Sequence, residues 1–196
     1  MATRQYTKVA RARSEERTRA DLLDAAERAY FSGSWEKTTL ADVAAEAGTT
    51  KQTLIRHFGS KDGLVQAGAE RSFERISEQR MAAPADDIRG AIDNLLDHYY
   101  EVGEQALVLS AATGEDAMSD FAKAGREFHH EWVDHAFGAW LSKLGSAETK
   151  LVRGTLIALC DVQTWAILSR DLGYPRAQVR ATLIAAIERL LPEETT

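Results

Sequence analysis

Between Thr39 and Phe58 the polar side chains fall at spacings that suit binding better than catalysis. Thr50 stands where it can cap a short helix over Lys51 to Phe58, which turns Lys51, Gln52, Thr53, Arg56 and His57 outward. All five can donate hydrogen bonds to phosphate oxygens or to acceptors on base edges. Just before them, Thr39 and Asp42 have the spacing of a capping box, with Asp in place of the preferred Glu. They open a helix from Leu40 to Ala47 that Gly48 closes. Leu40, Val43, Ala44, Ala47, Leu54 and Phe58 are spaced to pack together, and Ala44 and Ala47 are small enough for two helices to cross closely. That is the helix-turn-helix arrangement. An ordinary helical hairpin with a polar outer face has the same pattern, so packing alone leaves both readings open.

Catalytic chemistry has a weaker claim. His130-Glu131-Trp132-Val133-Asp134-His135 nearly matches the zinc-protease pattern, but its second His falls one place late. Five positions apart on a helix, His130 and His135 sit well round the cylinder from each other. His130 with Asp134 offers at most two ligands, so no metal site is assigned. Cys160, the single cysteine, lies in an apolar run and reads as core; it excludes an internal disulfide. No nucleophile–base pair is legible, and neither a catalytic residue nor a cofactor is expected.

Positioning these residues takes helices and no strands. The three prolines, Pro84, Pro175 and Pro192, all sit where helices begin or end, and no run of alternating β-branched residues occurs. A first helix is expected from Ser14 to about Ser32, with Leu22, Leu23, Ala26, Ala29 and Tyr30 inward. After the helix-turn-helix, Ser60 caps a long helix from Lys61. Asp86 or Asp87 opens another through Ile88, Ile92, Leu95, Leu96 and Tyr99, and a separate short one spans Gln105 to Ala112. A long helix follows over Glu115–Leu144, with a possible break near Gly125. Ser146 caps the next, which runs to Gly173, and Pro175 starts the last. The expected fold is all-α with about nine helices.

The 196 residues carry 24 Lys+Arg against 30 Asp+Glu, a formal net charge of −6. By itself that balance argues against nucleic acid as a partner. The charges are not evenly spread, however. Residues 1–61 hold 11 bases and eight acids, a balance of +3, and the remainder stands at −9. Residues 1–19 alone carry six bases and two acids, suggesting a basic N-terminal arm over 1–13 that is either a solvated terminus or a contact to phosphates. The longest stretch without a charge is ten residues, Gln105 to Gly114, too short to span a bilayer, and no signal sequence opens the chain. A cytoplasmic protein with no membrane partner is expected.

The segment 14–66 resembles the DNA-binding domain of the tetracycline-repressor (TetR) family of transcriptional regulators. The resemblance rests on Trp35, Thr38-Thr39, Ala47-Gly48, Phe58 and Ser60-Lys61-Asp62-Gly63-Leu64, matched nearly without gaps. It implies a three-helix DNA-binding domain at 14–60 and a helical ligand-binding and dimerisation domain at 61–196. It also implies that Thr39 and Lys61 hold phosphates, that Thr49, Thr50, Lys51, Gln52 and Thr53 approach the major groove, and that Arg56 and His57 serve the backbone. Ile55 stands where the family usually has a Tyr that touches the backbone, Thr49 fills a slot commonly Val or Leu, and Ser34 replaces a usual Gly.

In the second domain the resemblance supplies architecture and little chemistry. Tyr99, Tyr100, Phe121, Phe128, His129, Trp132 and Trp165 are candidates for lining a pocket for a small apolar or aromatic effector, although most buried aromatics are simply core. The last two helices are the expected homodimer interface, through Leu156, Leu159, Cys160, Val179, Leu183, Ile187 and Leu190. The function implied is a repressor released from a palindromic double-stranded DNA operator by that effector. The rival reading is an all-α enzyme or interaction module in which the hairpin is structural.

Overall fold

The computed structural model describes residues 2–111 and 117–191, with nine α-helices and no strand among them. The chain divides into two compact units, 1–72 and 73–196. The division falls inside α4 (Lys61–Met81) rather than at residue 60, because Leu64 and Ala67 of that helix belong to the first core.

The first unit contains α1 (Ala2–Phe31), a 3-10 turn at Trp35–Lys37, α2 (Leu40–Glu46), α3 (Lys51–Phe58) and the start of α4. The helix expected from Ser14 begins at Ala2 instead. Residues 2–13 contain neither Gly nor Pro and are rich in Ala, Arg, Lys and Gln, so nothing stops the helix from propagating. Ser14 lies inside it, and its carbonyl accepts from the Thr18 hydroxyl at 2.9 Å. The core is Leu22, Leu23, Ala25 and Ala26 of α1 against Val43, Ala44, Leu54 and Leu64, with Trp35, Leu40, Ala47 and Phe58 packed round it. Burying each such Leu contributes about 2 kcal/mol relative to leaving it exposed.

The second unit is built from α5 (Ile88–Ser110), α6 (Ala117–Leu141), α7 (Ser146–Leu159), α8 (Val162–Ala166), a π-helical turn at Ile167–Asp171 and α9 (Arg176–Leu190). The Asp87 side chain caps α5 by accepting from the Arg89 and Gly90 N–H groups. That helix runs on through Gln105, so the separate short helix does not exist; Ala112, its expected end, lies outside the described residues. Gly103 lets Trp165 lie flush on α5: a Cβ there would meet the indole at 2.5 Å. Gly125 leaves α6 unbroken.

The helix expected from Ser146 to Gly173 does break. At Asp161 the backbone is extended, and the carboxylate caps α8 by accepting from Gln163 N–H at 2.8 Å. A local cap outcompetes continuation there, as Asp side chains commonly do. Gly145, not Ser146, is the N-cap of α7. The core joins Ile92, Leu95, Leu96 and Tyr99 to Trp132, Val133 and Phe137, and to Leu156, Cys160, Trp165, Val179, Leu183 and Ile187.

That core takes in residues expected at the dimer surface. Leu156, Cys160, Val179, Leu183 and Ile187 are buried within their own chain, and Leu159 and Leu190 are half-buried against the same core. The wide apolar stripes of α7 and α9 thus face the core of this unit.

Candidate nucleic-acid interface and buried aromatic cluster

The helix-turn-helix is held by local hydrogen bonds that its sequence dictates. Thr39 and Asp42 form the full capping box: Asp42 N–H donates to the Thr39 hydroxyl oxygen at 3.2 Å, and Thr39 N–H donates to the Asp42 carboxylate at 2.9 Å. The Thr39 hydroxyl also donates to that carboxylate at 2.7 Å. These bonds hold the Asp42 carboxyl below its usual range. Gly48 takes φ +66, which only glycine adopts without strain, and the turn passes to α3. Thr50 caps α3 by accepting from Thr53 N–H at 3.2 Å, and the two hydroxyls share a bond at 3.0 Å.

On α3, Leu54 is fully buried while Lys51, Gln52, Ile55 and Arg56 are exposed together. These four lie at i, i+1, i+4 and i+5, which is one helical face. The exposed face therefore offers two cations, an amide and an apolar side chain, Ile55, that is 43% exposed. A face of this composition can bridge phosphates, bond base edges and touch a thymine methyl.

The remaining expected contacts are placed differently. Thr49 and Thr53 are half-buried, and the Thr50 and Thr53 hydroxyls serve the cap. Thr39 is exposed but its hydroxyl proton is committed to Asp42. His57 is half-buried, and its Nε2 is buried without a hydrogen-bond partner among the described residues. Lys61, expected on a phosphate, instead donates to the carbonyls of Trp35 at 2.8 Å and Thr38 at 2.9 Å, with its ammonium 4.4 Å from the Trp35 ring centre. It ties the start of α4 to the stretch of backbone that leads into α2, sharing the Trp35 carbonyl with the Thr38 N–H. Arg19 lies over the Phe58 ring at 5.2 Å, and Arg28 donates to Glu46 at 2.7 Å, joining α1 to α2.

In the second unit the expected pocket residues fall into two groups. Tyr99, Trp132, His129 and Trp165 are buried close together: Tyr99 and Trp165 ring centres are 5.9 Å apart, and His129 stacks on Trp132 at 6.3 Å. Phe121 and Phe128 both pack edge-on against Phe73, at 6.2 and 5.5 Å. Tyr100 is mostly outside, between Trp165 and Arg176. The hydroxyl of Tyr99 donates to the Cys160 carbonyl at 2.9 Å, and Trp132 Nε1 donates to the Arg80 carbonyl at 3.0 Å. Burial pushes the Cys160 thiol up to about 12, so it is no nucleophile.

Sequence reasoning missed Arg80 and His98, both buried beside these rings. A signal was present: Phe73, Ile76, Ser77 and Arg80 recur at three- and four-residue spacing on α4, which sets Arg80 on the inward stripe. The near-zincin histidines have other duties. His135 Nε2 donates to the Ala83 carbonyl at 2.9 Å, and Asp134 is gripped by Arg153 through two bonds of 2.6 and 2.8 Å. No single helix among the described residues is long and apolar enough to cross a membrane.

Comparison with known proteins follows the same division. Residues 22–67 match the family model of bacterial regulatory proteins, tetR family. The HTH-type transcriptional regulator TtgR of Pseudomonas putida is 39% identical over 70 residues, which are 36% of this chain and 33% of that relative. The chain thus spans about a third of the length of this curated relative. Over the whole fold, a crystal structure of a TetR-family transcriptional regulator from Rhodococcus sp. superposes with a TM-score of 0.65 at 21% identity, covering 90% of this chain and all of the other. NalD of Pseudomonas aeruginosa, described as the secondary repressor of the MexAB-OprM multidrug efflux pump, superposes with a TM-score of 0.62 at 18% identity, covering 93% of this chain and 100% of NalD. At these identities the structural matches establish the shared all-α fold. It is the helix-turn-helix and core of the first unit, residues 22–67, that match the tetR family of bacterial regulatory proteins.

Proposed function

We propose that the chain is a DNA-binding transcriptional repressor that acts as a homodimer in the cytoplasm. The observation that carries this reading is the exposed Lys51, Gln52, Ile55 and Arg56 face of α3, set on a capped helix over a dedicated core. Lys51 and Arg56 supply phosphate contacts, Gln52 reads a base edge, and Ile55 takes the place of the family's tyrosine with an apolar contact. Two copies present two such helices to the half-sites of a palindromic operator. The chain works by binding, not catalysis: its thiol is buried, His98 and His129 are buried, and His135 is bonded to the Ala83 carbonyl.

The dimer forms through the outer faces of α7 and α9, where Leu151, Gly154 and Ala158 are exposed beside Ala181 and Thr182. This surface replaces the inward leucines that the stripe pattern first suggests. The aromatic cluster of the second unit receives a small effector, and the ligand favours a conformer whose recognition helices no longer match the half-site spacing. A coupling of about tenfold in operator affinity is ordinary for such a switch.

Selection of fragments from the source genome by the purified protein tests the reading. The expected product is a palindromic consensus with half-sites about one helical turn apart, whose retention falls steeply between 50 and 200 mM salt. Recovery of random sequence, or binding indifferent to salt, contradicts it.

A further inference from the structure

Inside the second unit an arginine is buried with no anion beside it among the described residues. Arg80 is 3% exposed, and its guanidinium carbon stands 4.3 Å from the Trp132 ring centre and 5.8 Å from that of Tyr99. Its Nε and Nη2 are buried with no hydrogen-bond partner among the described residues. These two atoms form one edge of the guanidinium. With that same edge Arg153 grips Asp134, and Arg180 grips Asp93 at 2.5 and 2.8 Å. Arg80 therefore presents the two-point fork that fits a carboxylate, unpartnered among the described residues.

The surroundings say what else the ligand must satisfy. Asp161, the acid whose field reaches Tyr99 and His129, is occupied in capping α8. His129 donates through Nε2 to the Ile157 carbonyl at 3.0 Å, so Nδ1 of the neutral ring is an acceptor; it too is buried and unpaired. Trp165 Nε1 is a further buried donor without a partner. By contrast, the polar ends of Tyr99 and Trp132 are bonded, which fixes their rings as flat walls about Arg80. An unpaired guanidinium out of water is so costly that proteins avoid it unless something supplies the counter-charge. Burial pushes the Arg80 pKa below its ordinary value, yet guanidinium remains a cation in proteins.

We propose that Arg80 is the anion-recognition point of the effector site, and that the effector is a planar organic carboxylate whose head group occupies the free Nε/Nη2 edge while its body lies against Trp132 and Tyr99. The inference rests on the effector-responsive reading above and narrows its ligand from any apolar molecule to an aromatic acid. A hydroxyl beside the carboxylate would also satisfy His129 Nδ1.

The test is isothermal titration of the full chain with benzoate and 2-naphthoate against benzamide and 2-naphthamide, repeated on Arg80→Gln and Arg80→Lys. At least one acid is expected to bind wild type tenfold or more tightly than its amide. Arg80→Gln should abolish that preference and Arg80→Lys should retain part of it. Equal binding of acid and amide, no binding by either acid, or a preference that survives Arg80→Gln overturns the proposal. The acid–amide comparison on wild type stands even where a variant fails to fold. A parallel arm measures release of a selected genomic DNA fragment. If the acids bind through Arg80 without releasing DNA, the anion site holds and the effector reading fails. If amides and acids release DNA alike, the effector reading holds and the anion site falls.

Discussion

Lys51 and Arg56 stand on α3 with their charges in solvent, whereas Lys61 places its ammonium on the carbonyls of Trp35 and Thr38. Replacing them should give opposite signatures. Lys61→Met removes two charge-assisted hydrogen bonds, so thermal melting should show a loss of about 2 kcal/mol. Arg56→Ala should melt within about 0.5 kcal/mol of wild type, as exposed substitutions do, while weakening DNA binding. Gly63 makes a second point about single residues. A Cβ there would lie 2.1 Å from the Phe58 carbonyl oxygen, so Gly63→Ala must push α4 off the end of α3. A destabilisation of about 1–3 kcal/mol is expected by the same melt, and an unchanged melting temperature would show that the two helices separate freely. Residue type and spacing sufficed to identify Lys51, Gln52 and Arg56 as outward, because helical periodicity alone decides that. They did not suffice for Lys61 or His57. Whether a cation at a helix start meets solvent or a backbone carbonyl depends on chain that is 23 and 26 residues away for Lys61.

The helices divide by how local their signals are. Thr39, Asp42, Gly48 and Thr50 specify α2, the turn and α3 through bonds within five residues, and those elements were legible to within a residue. Thr39→Ala breaks the capping box and should cost about 1 kcal/mol in a denaturant melt. Where an end depended on competition, the reading failed. Ser14 has the right type for a cap, but no breaker precedes it, and α1 continues to Ala2. Asp161 has the same ability inside an apolar run, and there it does interrupt the helix. The stripes on α7 and α9 failed for another reason: apolar periodicity tells which face is buried and not what buries it. Leu156 lies in the core of its own chain, so Leu156→Ala should lower stability by about 2–5 kcal/mol. Leu151, at 71% exposed on the outer face of α7, belongs to the proposed dimer surface instead. Leu151→Glu should convert dimer to monomer in light scattering with little change in helicity; a persistent dimer would move the interface elsewhere.

Across the whole molecule, the net charge of −6 averages a positive front against an acidic body, and the two compact units follow much the same division. Inside the second unit a buried histidine creates a pH dependence. Burial, and then repulsion from Arg80, Arg75 and His129, pushes His98 down from 6.5 to about 3; burial lowers His129 as well. The unfolded chain takes up a proton near pH 6.5, and the folded chain does not until about pH 3. The stability that neutral His98 provides is therefore present above 6.5 and is lost as pH falls below it, at up to about 1.4 kcal/mol per unit. Between pH 7 and pH 5 wild type should lose about 2 kcal/mol more than His98→Gln, and parallel curves would contradict the buried neutral histidine. The claim on which all else depends is that α3 reads DNA. It is tested most directly by fluorescence anisotropy of a genomic fragment selected by wild type, titrated with wild type and with the Lys51→Ala/Arg56→Ala double variant over a range of salt. The prediction is a loss of tenfold or more, a shallower salt slope by about two for the two phosphate contacts removed, and an unchanged melting temperature. Equal affinity and equal slope would mean that α3 is a structural helix and that the DNA lies elsewhere.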